Sequence, residues 1–265
     1  MTSNLTRRTG ALVLLAAAAA TVLTGCGGVG AKLTFQDTEK VKVTEIVLSG
    51  RSGDVGVTTA AIAETRITRV VHRRSDPDPS YRLDGTVLHI DTDCGTDCTA
   101  SYQIEAPTGV KVRGKLQSGD IALAGVGASN VTVTSGDVMV DGASGAVQVK
   151  TTSGDITVQD ATAGATLTAT SGDLRAINVG GSPVSARTTS GDVTVQTTAA
   201  GSVTAQATSG DVSVLVPAGS YRVTTSMRDN DDVQIVGVRN DPASKNVIDV
   251  RTHSGDVTVA TTPAS

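Results

Sequence analysis

Through much of the chain, apolar side chains take every second position in short runs, and each run starts directly after a Ser-Gly-Asp tripeptide. The first and third residues after Asp are Ile121 and Leu123, Val138 and Val140, Ile156 and Val158, Leu174 and Ala176, Val193 and Val195, Val212 and Val214, and Val257 and Val259. Polar or small residues mostly fill the places between them, the period-2 pattern of a strand with one buried face. A second apolar column stands four residues before each Ser, at Val131, Val149, Leu167, Ala186, Ala205 and Val250. Each repeat therefore predicts two short strands. Ser-Gly-Asp turns the first into the second, and a looser Ala/Gly turn, such as Asp141-Gly142-Ala143 or Ala199-Ala200-Gly201, closes the circuit.

The tripeptides begin at Ser118, Ser135, Ser153, Ser171, Ser190 and Ser209, in steps of 17, 18, 18, 19 and 19 residues, with further copies at Ser52 and Ser254. A degenerate turn at Asn230-Asp231-Asp232, followed by Val233-Gln234-Ile235-Val236, divides the 45 residues from Asp211 to Asp256 into 21 and 24. Self-similarity at such a period marks a repeat architecture. Four aliphatics per repeat cannot offset the backbone entropy of ordering that repeat, so one unit is unstable alone. Stacking makes the columns continuous. The expected fold is all-β, a β-solenoid (β-helix-like) of 17–24-residue coils. A sandwich or roll of antiparallel hairpins is the alternative that the turn spacing permits.

The section 33–115 is a less regular N-terminal β region expected to cap the stack, and 116–262 carries the repeats. Ile46-Val47-Leu48, Val55-Gly56-Val57, Ile67 to Val71, Val87 to Ile90 and Tyr102 to Ile104 read as its strands. Asp76-Pro77-Asp78-Pro79 must be a loop. Cys94 and Cys98 flank Gly95-Thr96-Asp97, a three-residue connection between two strands that reads as a hairpin with a disulfide across it. Zinc would need four ligands, and only two thiols and His89 are in view.

At the N-terminus, Arg7 and Arg8 precede an uncharged stretch from Ala11 to Leu23 that ends in Leu23-Thr24-Gly25-Cys26. That succession is the pattern of an export signal. The apolar run spans roughly 20 Å as a helix, too short for a hydrocarbon layer of about 30 Å. Residues 23–26 resemble the lipobox of bacterial lipoproteins. The resemblance implies that the Cys26 thiol receives a diacylglycerol and that residues 1–25 are removed as the signal peptide. Residues 26–32 then form the lipidated Cys and a flexible tether, and two acyl chains give durable attachment. Thr9, Gly10 and Ala11 fit general secretion better than twin-arginine export. An oxidising destination leaves Cys94 and Cys98 free to pair. The chain is expected at the outer face of the bacterial cytoplasmic membrane, or at the outer membrane where the host has one.

Composition narrows function. Apolar residues make up 38% of the 265, but aromatics only 2%, which argues against a pocket walled by aromatic rings. The net charge is −4, and loss of Arg7 and Arg8 with the signal makes it −6, so neither nucleic acid nor anionic lipid is an expected partner.

The spaced Ser-Gly-Asp-Val/Ile turns, the segment Glu105-Ala106-Pro107-Thr108-Gly109-Val110 and the later Val216-Pro217-Ala218-Gly219-Ser220-Tyr221 resemble the bacterial family described as "putative adhesins" with β-strand repeats, a domain of unknown function. The resemblance covers roughly 45–260. It implies a β-solenoid-like fold on an exported or membrane-bound protein and carries over no active-site residue.

In a solenoid, Asp120, Asp137, Asp155, Asp173, Asp192, Asp211 and Asp256 form a ladder about 4.8 Å apart, where like charges repel by roughly 0.9 kcal/mol even in water. Turn amides donating to each carboxylate would offset this, with Gly supplying the dihedral freedom. A calcium ladder is the competing reading, against which stands the lack of a Gly-Gly-x-Gly-x-Asp pattern. Catalytic candidates are few. His72, His89 and His253 are far apart, and Asp229, Asp231 and Asp232 cluster where the regular turn is lost, a pattern that a solvated loop also explains. His72-Arg73-Arg74 beside Asp76 and Asp78 reads as a surface ion-pair patch. The expectation is a non-catalytic, lipid-anchored envelope protein without cofactor or metal, acting by adhesion, interaction or scaffolding on an unknown envelope protein or glycan. A solenoid enzyme acting on an envelope polysaccharide is the alternative.

Overall fold

The computed structural model describes residues 31–73, 80–227 and 232–262, and these form strands and no helix. The signal segment, Cys26, Arg74, the Asp76-Pro77-Asp78-Pro79 loop, Asp229, Asp231 and Pro263 lie outside the described residues. In chain order the strands are β1 (Ala31–Glu39), β2 (Glu45–Ser49), β3 (Val55–Ala60), β4 (Thr65–Arg73), β5 (Tyr81–Asp84), β6 (Val87–Asp91), β7 (Cys98–Pro107) and β8 (Lys111–Ser118). Then come β9 (Ile121–Ala124), β10 (Ser129–Ser135), β11 (Val138–Asp141), β12 (Val147–Ser153), β13 (Ile156–Gln159), β14 (Ala165–Thr168), β15 (Leu174–Val179) and β16 (Val184–Arg187). The last are β17 (Val193–Thr197), β18 (Val203–Gln206), β19 (Val212–Val216), β20 (Ser220–Ser226), β21 (Val233–Val236), β22 (Arg239–Asn240), β23 (Val247–Arg251) and β24 (Val257–Thr261).

Two sheets of twelve strands face each other. The first runs β1-β4-β7-β3-β9-β11-β13-β15-β17-β19-β24-β21, and the second β22-β20-β23-β18-β16-β14-β12-β10-β8-β2-β6-β5. Each interior repeat gives one strand to each sheet and pairs in parallel with the same strand of the next repeat. In the second sheet Val131 lies beside Val149, and Leu167, Ala186, Ala205 and Val250 follow in register. In the first, Ile121, Val138, Ile156, Leu174, Val193, Val212 and Val257 do the same. All of these side chains are at most 3% exposed. Period-2 alternation turns both columns toward the space between the sheets. The stacked, all-β arrangement is what the repeat predicts, and parallel interior pairing excludes the sandwich of antiparallel hairpins.

Stacking order departs from chain order at both ends. At one end, β2 and β3 lie against β8 and β9, pairing Glu45 with Lys111 and Val55 with Ile121, while β6 and β7 lie outside them. Both sheets thus continue through Lys115 without a break. At the other end, β23 and β24 follow β18 and β19, β20 and β21 lie outside them, and β22 closes the second sheet beyond β20. The succession Asp211, Asp232, Asp256 expected from the sequence becomes Asp211, Asp256, Asp232. Burial explains the choice. Ile248, Val250, Val257 and Val259 are fully buried where they sit, whereas Val233 and Ile235 are 42% and 44% exposed. The inward positions of the two layers are aliphatic alike except that Thr225 on β20 stands opposite Val250 on β23, so covering β23 and β24 removes more hydrocarbon from water.

The expected hairpin is corrected in its extent: only the turn forms, an antiparallel bridge between Asp93 and Thr99 around Cys94 and Cys98. The disulfide joins them, with Cα atoms 5.2 Å apart, but the flanking strands belong to different sheets. β6 pairs in parallel with β2 and antiparallel with β5, while β7 pairs with β3 and β4. Leu88 and Ile90 thereby stack on Ile46 and Leu48, and Tyr102 and Ile104 on Val55 and Val57. A short Gly-containing loop suits a hairpin and a corner alike, and the inter-sheet core decides between them.

Candidate functional site

The Ser-Gly-Asp corners form one continuous edge where the chain passes from the second sheet to the first. The Gly136 amide donates to the Ser153 carbonyl at 3.0 Å, and Gly154 and Gly172 repeat the bond to Ser171 and Ser190. The corner glycines hold φ between +114° and +140°. A Cβ on Gly154 would run into the carbonyl oxygen of Gly136, so both the dihedral and the spacing of coils exclude a side chain.

Each corner Asp receives a hydrogen bond from the coil above. The Asp137 amide donates to Asp120 Oδ1 at 2.9 Å, Asp155 to Asp137 at 2.8 Å, Asp173 to Asp155 at 2.8 Å and Asp192 to Asp173 at 2.9 Å. Asp211 donates to Asp192 at 2.9 Å and Asp256 to Asp211 at 2.8 Å. The ladder extends beyond the seven Asp residues read from the repeat. Asp54 accepts from Asp120 at 3.0 Å, and Asp232 donates to Asp256 at 3.2 Å. The copy at Ser52 signalled the first of these. At Asp54 the run ends on the Ser101 hydroxyl, which accepts from the Asp54 amide at 3.1 Å.

These charge-assisted bonds offset the repulsion between stacked carboxylates. Asp173 shows the effect. Its pKa is held below the usual carboxylate value by the Asp192 amide first, against some opposition from burial, and by Arg175, whose guanidinium lies 2.8 Å from Oδ2. Among the described residues, no group of three or more His, Cys, Asp and Glu side chains is placed to hold a metal ion.

The three histidines stay apart: His72 is on β4 in the first sheet, His89 on β6 in the second, and His253 precedes the corner at Ser254. Open hollows lie near the disulfide corner. One of about 350 Å3 is bounded by Arg51, Asp93, Asp97 and Gln117, and one of about 400 Å3 by Ser80, Tyr81, Arg82 and His89. Beside the second, the buried Tyr102 hydroxyl donates to the Ser80 carbonyl at 2.8 Å, and burial raises its pKa. The repeat pattern gave no sign of this anchor. Among the described residues, no helix is long and apolar enough to cross a membrane.

A family model described as Toastrack DUF4097 matches residues 21–260. The chain belongs to the Toastrack family. The Toastrack fold is a β-solenoid-like repeat, in keeping with the two parallel-rich sheets of this chain. Among solved structures, this Toastrack chain is similar to a "putative adhesin" from Bacteroides fragilis NCTC 9343, with 13% identity over 86% of this chain and 97% of that one and a TM-score of 0.44. A second "putative adhesin", from Parabacteroides distasonis ATCC 8503, has 12% identity over 86% and 97% of the two chains and a TM-score of 0.44. A "putative cell adhesion protein" from Clostridium sporogenes ATCC 15579 has 12% identity over 86% and 99%, with a TM-score of 0.31. No curated protein matches the chain.

Proposed function

We propose that this Toastrack chain is a lipid-anchored extracytoplasmic envelope protein that acts without catalysis, by adhesion, interaction or scaffolding on the faces of its solenoid. The observation that carries the reading is the pair of continuous twelve-stranded sheets, which present long faces with exposed polar side chains. At about 4.8 Å per strand, each face runs for roughly 50 Å. A surface of that form suits an extended partner better than a small molecule held in a cleft.

In this reading, residues 1–25 are the signal peptide and 26–32 carry the lipidated Cys26 and a tether. Residues 33–115 form an end region that caps the stack, and 116–262 contribute coils of 17–24 residues. Anchoring is tested by metabolic labelling with a radioactive fatty acid and by membrane fractionation. The wild-type chain is expected to take up label and sediment with membranes, and Cys26→Ser to lose both. An unlabelled wild-type chain in the soluble fraction overturns the anchor. The interaction reading is tested by cross-linking in intact cells, with capture of an envelope protein or glycan as the expected result and no capture as the contrary one.

A further inference from the structure

We infer that the outer face of the second sheet binds an extended anionic glycan laid along the stacking axis, with its acidic groups on alternate sugars. This deepens the interaction reading and rests on it. The chain as a whole is acidic, at −4, yet this face is not. From β8 to β18 its outward positions hold Lys111, Arg113, Lys115, Lys150 and Arg187 and no carboxylate; Glu45 on the adjoining β2 neutralises Arg113, its Oε1 accepting from Nε at 2.6 Å, which leaves Lys115, Lys150 and Arg187 to carry the charge. The Asp ladder lies at the corner, five residues along the chain from the nearest of these cations, so screening over about 8–10 Å leaves the face its own positive field.

The cations are also periodic. Lys115 pairs with Thr132, Thr132 with Lys150, Lys150 with Thr168, and Thr168 with Arg187. A positive charge therefore recurs on every second strand, about 9.6 Å apart along the axis. Lys115, Lys150 and Arg187 are exposed, and none has a carboxylate partner among the described residues. Arg187 is steadied instead by Gln206 and the Ser185 hydroxyl.

A linear chain of pyranose rings advances by about one strand spacing per sugar, so acids on alternate sugars meet successive cations. The sugars between meet hydroxyls. Thr132 and Thr168 stand between the cations, and the neighbouring columns read Asn130, Gln148, Thr166, Ser185 and Thr204 on one side. Thr134, Thr152, Thr170, Thr189 and Thr208 are exposed on the other. This face has no aromatic platform, so attraction is electrostatic and falls with added salt.

The test titrates the full chain in detergent micelles with four soluble probes: a linear polysaccharide bearing a uronate on alternate sugars, the same polymer after carboxyl reduction, inorganic polyphosphate and single-stranded DNA. The wild-type chain is expected to bind the first and to ignore the second. The triple variant Lys115→Gln, Lys150→Gln, Arg187→Gln is expected to lose at least about tenfold in affinity with an unchanged Tm. Removing equal charge near the ends of the stack, with Arg82→Gln, Arg222→Gln and Arg239→Gln, is expected to change affinity by less than about twofold. Absence of uronate binding, or equal losses in the two triple variants, overturns the proposal. Polyphosphate or DNA binding as tightly as the glycan assigns the face to anions in general and overturns the glycan. Cross-linking in cells separates this from the wider reading. A partner captured equally by wild type and by the first triple variant leaves the interaction reading standing and removes this site, whereas capture by neither removes both.

Discussion

At each corner a glycine holds a dihedral closed to other residues, and its neighbour offers a carboxylate to the amide of the next coil. Gly154, at φ +134° against the Gly136 carbonyl, shows what a single methyl would cost. Gly154→Ala is expected to destabilise by more than about 2 kcal/mol, read as a lower midpoint in denaturant, because both strain and a backbone clash follow from it. The adjacent ladder gives stability an acid limb. Asp173 is held below its unfolded pKa of about 3.9, so the unfolded chain takes up the proton first. Its contribution is present above about pH 4 and is lost as pH falls through the native value. Asp173→Ala should therefore show a smaller drop in Tm than wild type between about pH 5 and about pH 3. A drop of equal size would mean that the Asp192 amide and Arg175 do not hold this carboxylate in solution.

Single strands differ in what they bury, and their place in the stack decides how much each substitution matters. Val158 on β13 is fully buried between two neighbouring coils, while Ile235 on β21 is 44% exposed at the end of its sheet. Val158→Ala is expected to cost about 2 kcal/mol, by lost transfer energy and a cavity, and Ile235→Ala less than about 0.5 kcal/mol, both measured by chemical unfolding. Alternation made these strands legible: the residues after each Asp are the ones that turn inward. The antiparallel turn at Cys94 and Cys98 does not extend into a hairpin of β6 and β7, for a reason that also lies at this scale. β6 and β7 each look like one arm of a hairpin, yet each finds better apolar cover from a parallel partner, Ile46 and Leu48 for one and Val55 and Val57 for the other. Sequence separation carried no hint of those partners, which lie some 40 residues upstream.

Across the whole molecule, contacts run between neighbouring coils, so stability rises from the ends toward the middle of the stack. Native-state hydrogen exchange is expected to show amides of β13 and β15 outlasting those of β20 and β21 by orders of magnitude. Equal protection throughout would indicate one cooperative unit. The basic face belongs to this scale too. Lys115, Lys150 and Arg187 stand five residues before Asp120, Asp155 and Asp192, so their column is written in the repeat. Net charge concealed it, because an average over the chain cancels a face against a corner. From the sequence alone follow the two-strand repeat, its inward columns and the glycine–aspartate corner, since period-2 alternation and a dihedral reserved for glycine are local properties. Only the tertiary structure decided which coil covers which, that Asp256 precedes Asp232 in the ladder, and that β6 and β7 part into different sheets. Those choices depend on how much hydrocarbon each layer hides from water, a quantity that exists only once distant segments meet.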